Sequence, residues 1–425
     1  MKELIKKITP KFLLKFYHYS LSLAGAVLYG FPSKNLKVIG VTGTSGKTTS
    51  VDLISKIFGE AGKKTASLSS IRFRILGKEK ENKLKMTMPG RTKIQKFLKE
   101  AQKSGCEYVV LETTSEGIAQ YRHKFINFDT AVFLNLFPEH LEAHGGFENY
   151  RNAKLELFRA AKNKHIVNVD DENAKYFIDI PAKEKWGYGI KDQSGNLKGK
   201  GIKAIGAENL EARPNGVGFE VQGVKFNLNL FGGFNVYNAL AAIAVALSCG
   251  ISLDICKKAL EKTEGIPGRM EIVIKEPYTV IVDYAHTPSS LEEVYKTLTG
   301  SMAKGRGSKI ICVLGSCGGG RDKWKRPVMG EIAAKYCGEV IITNEDPYDE
   351  DPMEIINQVA KGAGGKAEIV LDRREAIKKA LGLARPEDAV VITGKGCEPW
   401  MCVEKSRKIP WDDRKIVKEE FSKTK

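Results

Sequence analysis

Val41-Thr42-Gly43-Thr44-Ser45-Gly46-Lys47-Thr48-Thr49 follows a short apolar stretch, Leu36 to Val41, and runs into Ser50-Val51-Asp52-Leu53-Ile54-Ser55-Lys56-Ile57, which has helical spacing. A strand, a glycine loop and a helix start in that order make a phosphate cradle. The glycines let backbone N–H groups turn toward an anion, and the helix N-terminus adds its partial positive charge. Lys47 has the reach for terminal phosphates, and the Thr48 hydroxyl suits Mg²⁺. The general phosphate-loop pattern wants a glycine where this chain has Val41, so the spacing is the narrower T-G-T-x-G-K-T-T. A merely structural glycine turn would not need the adjacent Gly-Lys-Thr-Thr. The stretch predicts ATP binding by Gly43, Thr44, Ser45, Gly46, Lys47, Thr48 and Thr49.

The chain has 425 residues, enough for two or three domains with ample core. Its 68 Lys and Arg against 51 Asp and Glu leave a formal charge of +17. That excess suits anionic substrates, nucleic acid or an anionic membrane surface, or is simply a solvated lysine-rich surface. No basic run is interleaved with aromatics, which argues against nucleic acid. Eight cysteines are scattered singly, with no ligand-like spacing for zinc, as suits a reducing cytosol. Residues 1–33 are basic and then apolar (Tyr19 to Phe31). They read as a helix packed on the body, with a signal peptide or a monotopic membrane-surface helix over 1–31 as alternatives.

Beyond the cradle, short strands are expected at Lys64 to Ser69 and Ile71 to Leu76, and short buried ones at Tyr108 to Leu111, Thr130 to Leu134 and Ile166 to Val169, with a charged turn at Gly77 to Lys85. From Trp186 to Leu230 the segments alternate and are punctuated by glycine, predicting a small antiparallel insertion. Gly265-Ile266-Pro267-Gly268 marks a boundary. A second unit follows, with buried strands at Thr279 to Val282, Ile310 to Leu314, Glu339 to Thr343 and Ala389 to Thr393. The expected fold is α/β: a central P-loop ATPase domain with a mostly parallel sheet over 34–267, then a Rossmann-like α/β domain over 268–425. Polar residues just past the strand ends are where such sheets bind ligands.

The segment NLFPEHLEAHGGFENYRNAKLELF (Asn135 to Phe158), together with TGTSGKTT, closely resembles the Mur ligase family of peptidoglycan amino-acid ligases, and within it the MurE type. FNVYNALAA (Phe234 to Ala242), GIPGRME (Gly265 to Glu271), VDYAHTPSSL (Val282 to Leu291), RDKWKRP (Arg321 to Pro327) and GKGCE (Gly394 to Glu398) match in the family's order. The resemblance implies an ATP-dependent ligase that makes an acyl phosphate from a carboxylate, which an incoming amine then attacks. Such chemistry needs cations around two anionic reactants.

By the same resemblance, Lys47, Glu112, His140 and Lys154 are the catalytic set. Thr48, Glu112, His140 and a carbamylated Lys154 would hold two Mg²⁺. Carbamylation requires a neutral amine, so a depressed Lys154 pKa is implied. Asn238, Arg269, Asp283 and Lys325 match the nucleotide contacts. Thr87, Thr114, Ser115 and Arg122 match contacts to the muramoyl peptide, and Asp346, Tyr348, Gly394 and Glu398 those to the amino acid. Residues His144 and Glu148 are given local hydrogen bonding only.

Three departures from the family stand out. Thr114-Ser115-Glu116 replaces Ser-Ser-His. The roughly hundred-residue UDP-holding domain that opens MurE-type enzymes has no counterpart ahead of the cradle, where about 33 residues stand. UDP-linked substrate without that anchor, a partner that supplies it, and a lipid-linked substrate are the options left open. The amino-acid loop is Glu345-Asp346-Pro347-Tyr348 where diaminopimelate-adding enzymes have D-N-P-R; by charge complementarity this leans toward lysine or ornithine. The other readings are a related ligase of the folylpolyglutamate, cyanophycin or lipid-linked type, and a non-catalytic nucleotide-binding protein.

Overall fold

Continuous apolar runs of four to six residues cannot be solvated on either side, so they become interior strands of a parallel sheet with helices on both faces. The computed structural model describes residues 10–84, 86–190, 201–213, 216–301 and 308–423. Its first sheet contains β1 (Lys37–Thr42), β2 (Thr65–Leu68), β3 (Arg72–Ile75), β4 (Lys78–Glu81), β5 (Tyr108–Glu112), β6 (Phe128–Phe133), β7 (Lys164–Asn168), β8 (Glu184–Gly189) and β9 (Lys203–Gly206). The strand order is β4-β3-β2-β5-β1-β6-β7-β8-β9, and all pairs are parallel except β2–β3 and β3–β4. Along β1, Ile39 and Val41 pack on the face covered by helices Lys47–Glu60 and Phe234–Ser248, and Val38 packs on the other.

Gly40 decides how closely that other face is approached. A side chain there would lie 2.7 Å from Leu157 Cδ1 and 2.9 Å from Phe128 Cε1. Its absence lets helix Phe147–Ala160 settle on β1 and brings Lys154, one turn before Leu157, beside the loop that leaves β1.

Two sequence expectations change. The charged turn at Gly77–Lys85 contains the edge strand β4, wholly exposed and reading Lys-Glu-Lys-Glu, as a protected edge should. Leu76 and Gly77, both at positive φ (47° and 79°), form the two-residue hairpin that makes it. The antiparallel insertion does not begin at Trp186: β8 and β9 extend the large sheet in parallel. Among the described residues of that region, β10 (Glu208–Arg213), β11 (Gly216–Val221) and β12 (Val224–Leu228) form the antiparallel sheet. The first nine residues of the basic segment, residue 85 of the charged turn, and 191–200 and 214–215 of the expected insertion lie outside the described residues.

A second sheet is built from β13 (Glu271–Ile274), β14 (Thr279–Val282), β15 (Ile310–Leu314), β16 (Glu339–Ile342), β17 (Ala367–Ile369) and β18 (Ala389–Ile392). Its order is β13-β14-β18-β15-β16-β17, parallel apart from the edge strand β13. The loops leaving its strands line one cavity together with those leaving β1, β5 and β6 of the first sheet.

Candidate active site

The cavity between the two sheets holds about 1270 Å³. It is lined by Thr44 to Thr49, Glu112, His140, Asn238, Arg269, Asp283 and Lys325, and by Thr87, Thr114, Arg122, Asp346, Tyr348, Gly394 and Glu398. Gly43, Ser115 and Lys154 stand behind its wall. Residues from both halves of the sequence therefore meet across one space.

The loop after β1 is held open by side chains from elsewhere. Asn135, just past β6, accepts hydrogen bonds at Oδ1 from the N–H groups of Thr44 (3.0 Å) and Ser45 (2.9 Å). Gly46 sits at φ 82°, and a side chain there would fall 2.3 Å from Asn238 Oδ1. Only glycine permits that approach. Asn238 also accepts from Ser50 Oγ (3.3 Å) and donates to Asn235 Oδ1 (3.0 Å).

Lys47 folds back on its own loop, donating to Gly43 O (2.9 Å) and Thr44 O (2.8 Å). Burial lowers its pKa, with Glu112 opposing and Arg269 adding to the shift. Lys154 donates to the same Gly43 O at 2.8 Å and lies over the Tyr150 ring. Its pKa falls well below the ordinary lysine value, first through burial and then through repulsion from Lys47. Carbamylation needs a neutral amine, and burial moves Lys154 in that direction.

Glu112, at the end of β5, is buried. Its Oε2 accepts from Thr48 Oγ1 (3.0 Å), Ser70 N (2.8 Å) and Ser70 Oγ (2.9 Å). Arg269 reaches Thr48 Oγ1 at 3.5 Å and stacks on Tyr284. Among the described residues no three His, Cys, Asp or Glu side chains group as a metal site. One carboxylate flanked by hydroxyls still fits Mg²⁺, which keeps several waters and takes other ligands from substrate phosphates.

The second group is bound across the halves. His140, at φ 55°, places Nδ1 3.4 Å from Glu116 Oε1. Burial and the cations Arg321 and Lys325 keep its imidazole neutral, a form able to ligate. Glu116 also meets Arg321 at 3.5 Å. Lys325 Nζ pairs with Glu139 Oε1 at 2.8 Å with both side chains buried, while Glu139 Oε2 has no partner. Asp322 accepts from the backbone N–H groups of Leu141 and Glu142, both at 3.0 Å.

Other residues of the expected set have local tasks as well. Asp283 accepts from Met270 N and Ala285 N, each at 2.6 Å, and Thr114 caps helix Ser115–Ala119 through Gly117 N (3.1 Å). Ser115 Oγ meets His144 Nε2 at 3.1 Å. Arg122 holds Met88 O and Gln120 Oε1. Asp346 is a correction: it is buried, its Oδ2 meets Lys395 Nζ at 2.9 Å and its Oδ1 accepts from Cys402 N at 2.7 Å. Its charge is answered inside the protein, so it is no reason to expect a cationic substrate side chain. Lys395 also pairs with Glu398.

Sequence reasoning assigned no role to Ser70, Asn135, Glu139, Arg321, Asp322 or Lys395. Asn135, Glu139, Arg321, Asp322 and Lys395 sit inside quoted motifs, which was the available signal; Ser70 carried none.

The Mur ligase middle domain model matches residues 41–246, and the Mur ligase glutamate ligase domain model matches 268–396. The chain belongs to the Mur ligase family. As a Mur ligase it is an ATP-dependent enzyme that forms amide bonds. A UDP-N-acetylmuramoyl-L-alanyl-D-glutamate--2,6-diaminopimelate ligase of Syntrophomonas wolfei is 40% identical over 413 residues, covering 94% of this chain and 81% of that protein. The ligase of the same name from Aquifex aeolicus is 38% identical over 417 residues, covering 96% and 82%. A solved structure of a ligase with this name superposes with TM-score 0.61 at 30% identity, covering 92% of this chain and 79% of that one. MurF from Acinetobacter baumannii shares the fold at TM-score 0.67 and 21% identity, covering 89% and 77%.

Proposed function

We propose that this Mur ligase joins a diamino acid, 2,6-diaminopimelate in the first instance, to the D-glutamate carboxylate of a UDP-N-acetylmuramoyl dipeptide, a step in cytoplasmic peptidoglycan assembly. The observation that carries this reading is the single cavity in which Lys47, Glu112, His140 and Lys325 meet, in a chain 40% identical to a ligase of that name. In the reaction the glutamate carboxylate takes the γ-phosphoryl of ATP, releasing ADP. The amine then attacks the acyl phosphate, forming the amide and releasing phosphate.

Each residue has a task that its surroundings support. The loop from Gly43 to Thr49 turns its N–H groups toward the phosphates, and Lys47 moves from the loop carbonyls to the terminal phosphate oxygens. Thr48 and Glu112 would hold Mg²⁺, which neutralises phosphate charge when bound. Arg269 and Lys325 add positive charge from residues 268–425, read as the closing domain, against the ATP-binding domain over 34–267. Asn238 and Asp283 orient the nucleoside; Arg122, with Thr87, Thr114 and Ser115, orients the peptide.

Lys154, buried and with its pKa lowered, would add CO₂ at Nζ through its neutral amine and lose a proton, becoming a carbamate. The cationic neighbour that lowers its pKa as an amine, Lys47, then favours it as an anion. With His140 it would complete the holding of a second Mg²⁺. A phosphate-release assay crossing UDP-muramoyl dipeptide and lipid-linked dipeptide with 2,6-diaminopimelate, lysine and ornithine tests the reading. Release confined to the UDP-linked acceptor with 2,6-diaminopimelate supports it; no release with that pair rejects it.

A further inference from the structure

One short segment of the second half grips the loop that carries His140. Asp322 Oδ2 and Oδ1 accept from the N–H groups of Leu141 and Glu142, both at 3.0 Å. Lys323 N donates to Glu142 Oε1 at 2.9 Å, and Lys325 pairs with Glu139 at 2.8 Å. Arg321 meets Glu116, whose Oε1 lies 3.4 Å from His140 Nδ1. The residues on either side of His140 are thus tied directly to this segment, and its ring is reached through Glu116.

His140 needs such support. Its backbone is left-handed, with φ 55° and ψ 28°, a conformation that a residue with a Cβ keeps only where its surroundings hold it. The Leu141 N–H belongs to the same planar peptide as the His140 carbonyl, so its bond to Asp322 fixes ψ of His140. Asp322 is 3% exposed, and both of its oxygens are spent on this loop. Glu116 stands beside Nδ1, which leaves Nε2 as the ring nitrogen for another partner.

We propose that Asp322 is a positioning residue for His140. It comes from residues 268–425 and fixes the peptide that follows a histidine of residues 34–267, so the place for the second Mg²⁺ is complete only while the two halves touch. The proposal rests on the reading of His140 as a holder of that Mg²⁺ and adds what aims it. Asp322 does not line the cavity; it acts through the Leu141 and Glu142 N–H groups.

The test uses Mn²⁺ as the probe, titrated by electron paramagnetic resonance into the full chain with a non-hydrolysable ATP analogue in bicarbonate buffer. The parent is expected to bind two Mn²⁺. Asp322→Ala should keep the one at Thr48 and Glu112 and bind the other at least about tenfold more weakly, the scale of losing a group that orients a ligand. Asp322→Asn, which keeps one acceptor oxygen, should fall between. In turnover, the Mg²⁺ needed for half-maximal rate should rise in Asp322→Ala while KM for ATP is unchanged. His140→Ala sets the reference: it should lose the same Mn²⁺, and adding Asp322→Ala to it should weaken binding no further. Two results overturn the proposal alone. In one, His140→Ala loses the second Mn²⁺ and Asp322→Ala keeps it; in the other, Asp322→Ala weakens both Mn²⁺ equally, as general loosening would. If the parent binds a single Mn²⁺, or His140→Ala keeps both, the reading of His140 fails and the proposal with it.

Discussion

Lys154 and Lys47 donate to the same acceptor, the carbonyl of Gly43, at 2.8 and 2.9 Å. One comes from the start of the cradle helix and the other from a helix more than a hundred residues later. Two buried amines this close cannot both hold full charge comfortably, and Lys154 carries the larger shift. Converting one of them to an anion turns repulsion into attraction. That is the physical case for the carbamate.

If Lys154 carries the proposed carbamate, replacing it by alanine removes a negative group from the reacting centre. Activity is expected to fall by about 10²–10³-fold, the scale of losing one electrostatic contact in a dry site. Short carboxylic acids should restore part of it, because they can occupy the vacated space with the same charge. A Lys154→Ala enzyme that is fully active without them contradicts the role.

Lys325 and Glu139 are 186 residues apart in sequence and pair in the interior. Glu139→Ala leaves Lys325 as an uncompensated buried charge, worth about 3–5 kcal/mol. Since the partners belong to opposite halves, the cost falls on the contact between them. The ligand-free variant should show a larger radius of gyration by small-angle scattering and a lower thermal midpoint. An unchanged scattering curve and midpoint would show that the pair does not hold the halves together.

Such pairings mark the limit of what the sequence disclosed. Strands such as Ile310–Leu314 and Ala389–Ile392 were legible because a short apolar run bounded by polar residues has few other fates. The cradle and the Lys154 segment were legible because their motifs are long. The Trp186–Leu230 region was misread because Gly187 and Gly189 mimic hairpin punctuation, whereas pairing direction is set by β7 alongside. Asp346 was read as a free charge because its partner Lys395 is 49 residues away. Charge at a site depends on neighbours that only the fold supplies.

Tyr348 lines the cavity and stands at the place that the resemblance to the D-N-P-R loop assigns to arginine. Tyr348→Arg should offer a second carboxylate a two-pronged partner. Its kcat/KM for 2,6-diaminopimelate relative to lysine is expected to rise about tenfold. If the ratio stays put, this loop does not select the amino acid.

His123 is buried away from the cavity, and burial, with Lys124 adding, holds its pKa down to about 4 against an ordinary 6.5. The folded state thus keeps it neutral while the unfolded chain takes a proton below 6.5. Its contribution to stability is complete above 6.5 and is lost as pH falls toward 4. His123→Gln should lose about 2 kcal/mol less than the parent on going from about pH 7 to about pH 5, measured by urea unfolding. Parallel losses in the two proteins would contradict the assignment.

The central claim is ATP-driven amide formation at the cradle. The most direct measurement is product mass and phosphate release together, on UDP-muramoyl dipeptide with 2,6-diaminopimelate, for the parent and Lys47→Ala. The account predicts one phosphate per amide formed in the parent, and neither in a Lys47→Ala protein that still folds. Amide product from Lys47→Ala, or phosphate release without amide in the parent, would contradict it.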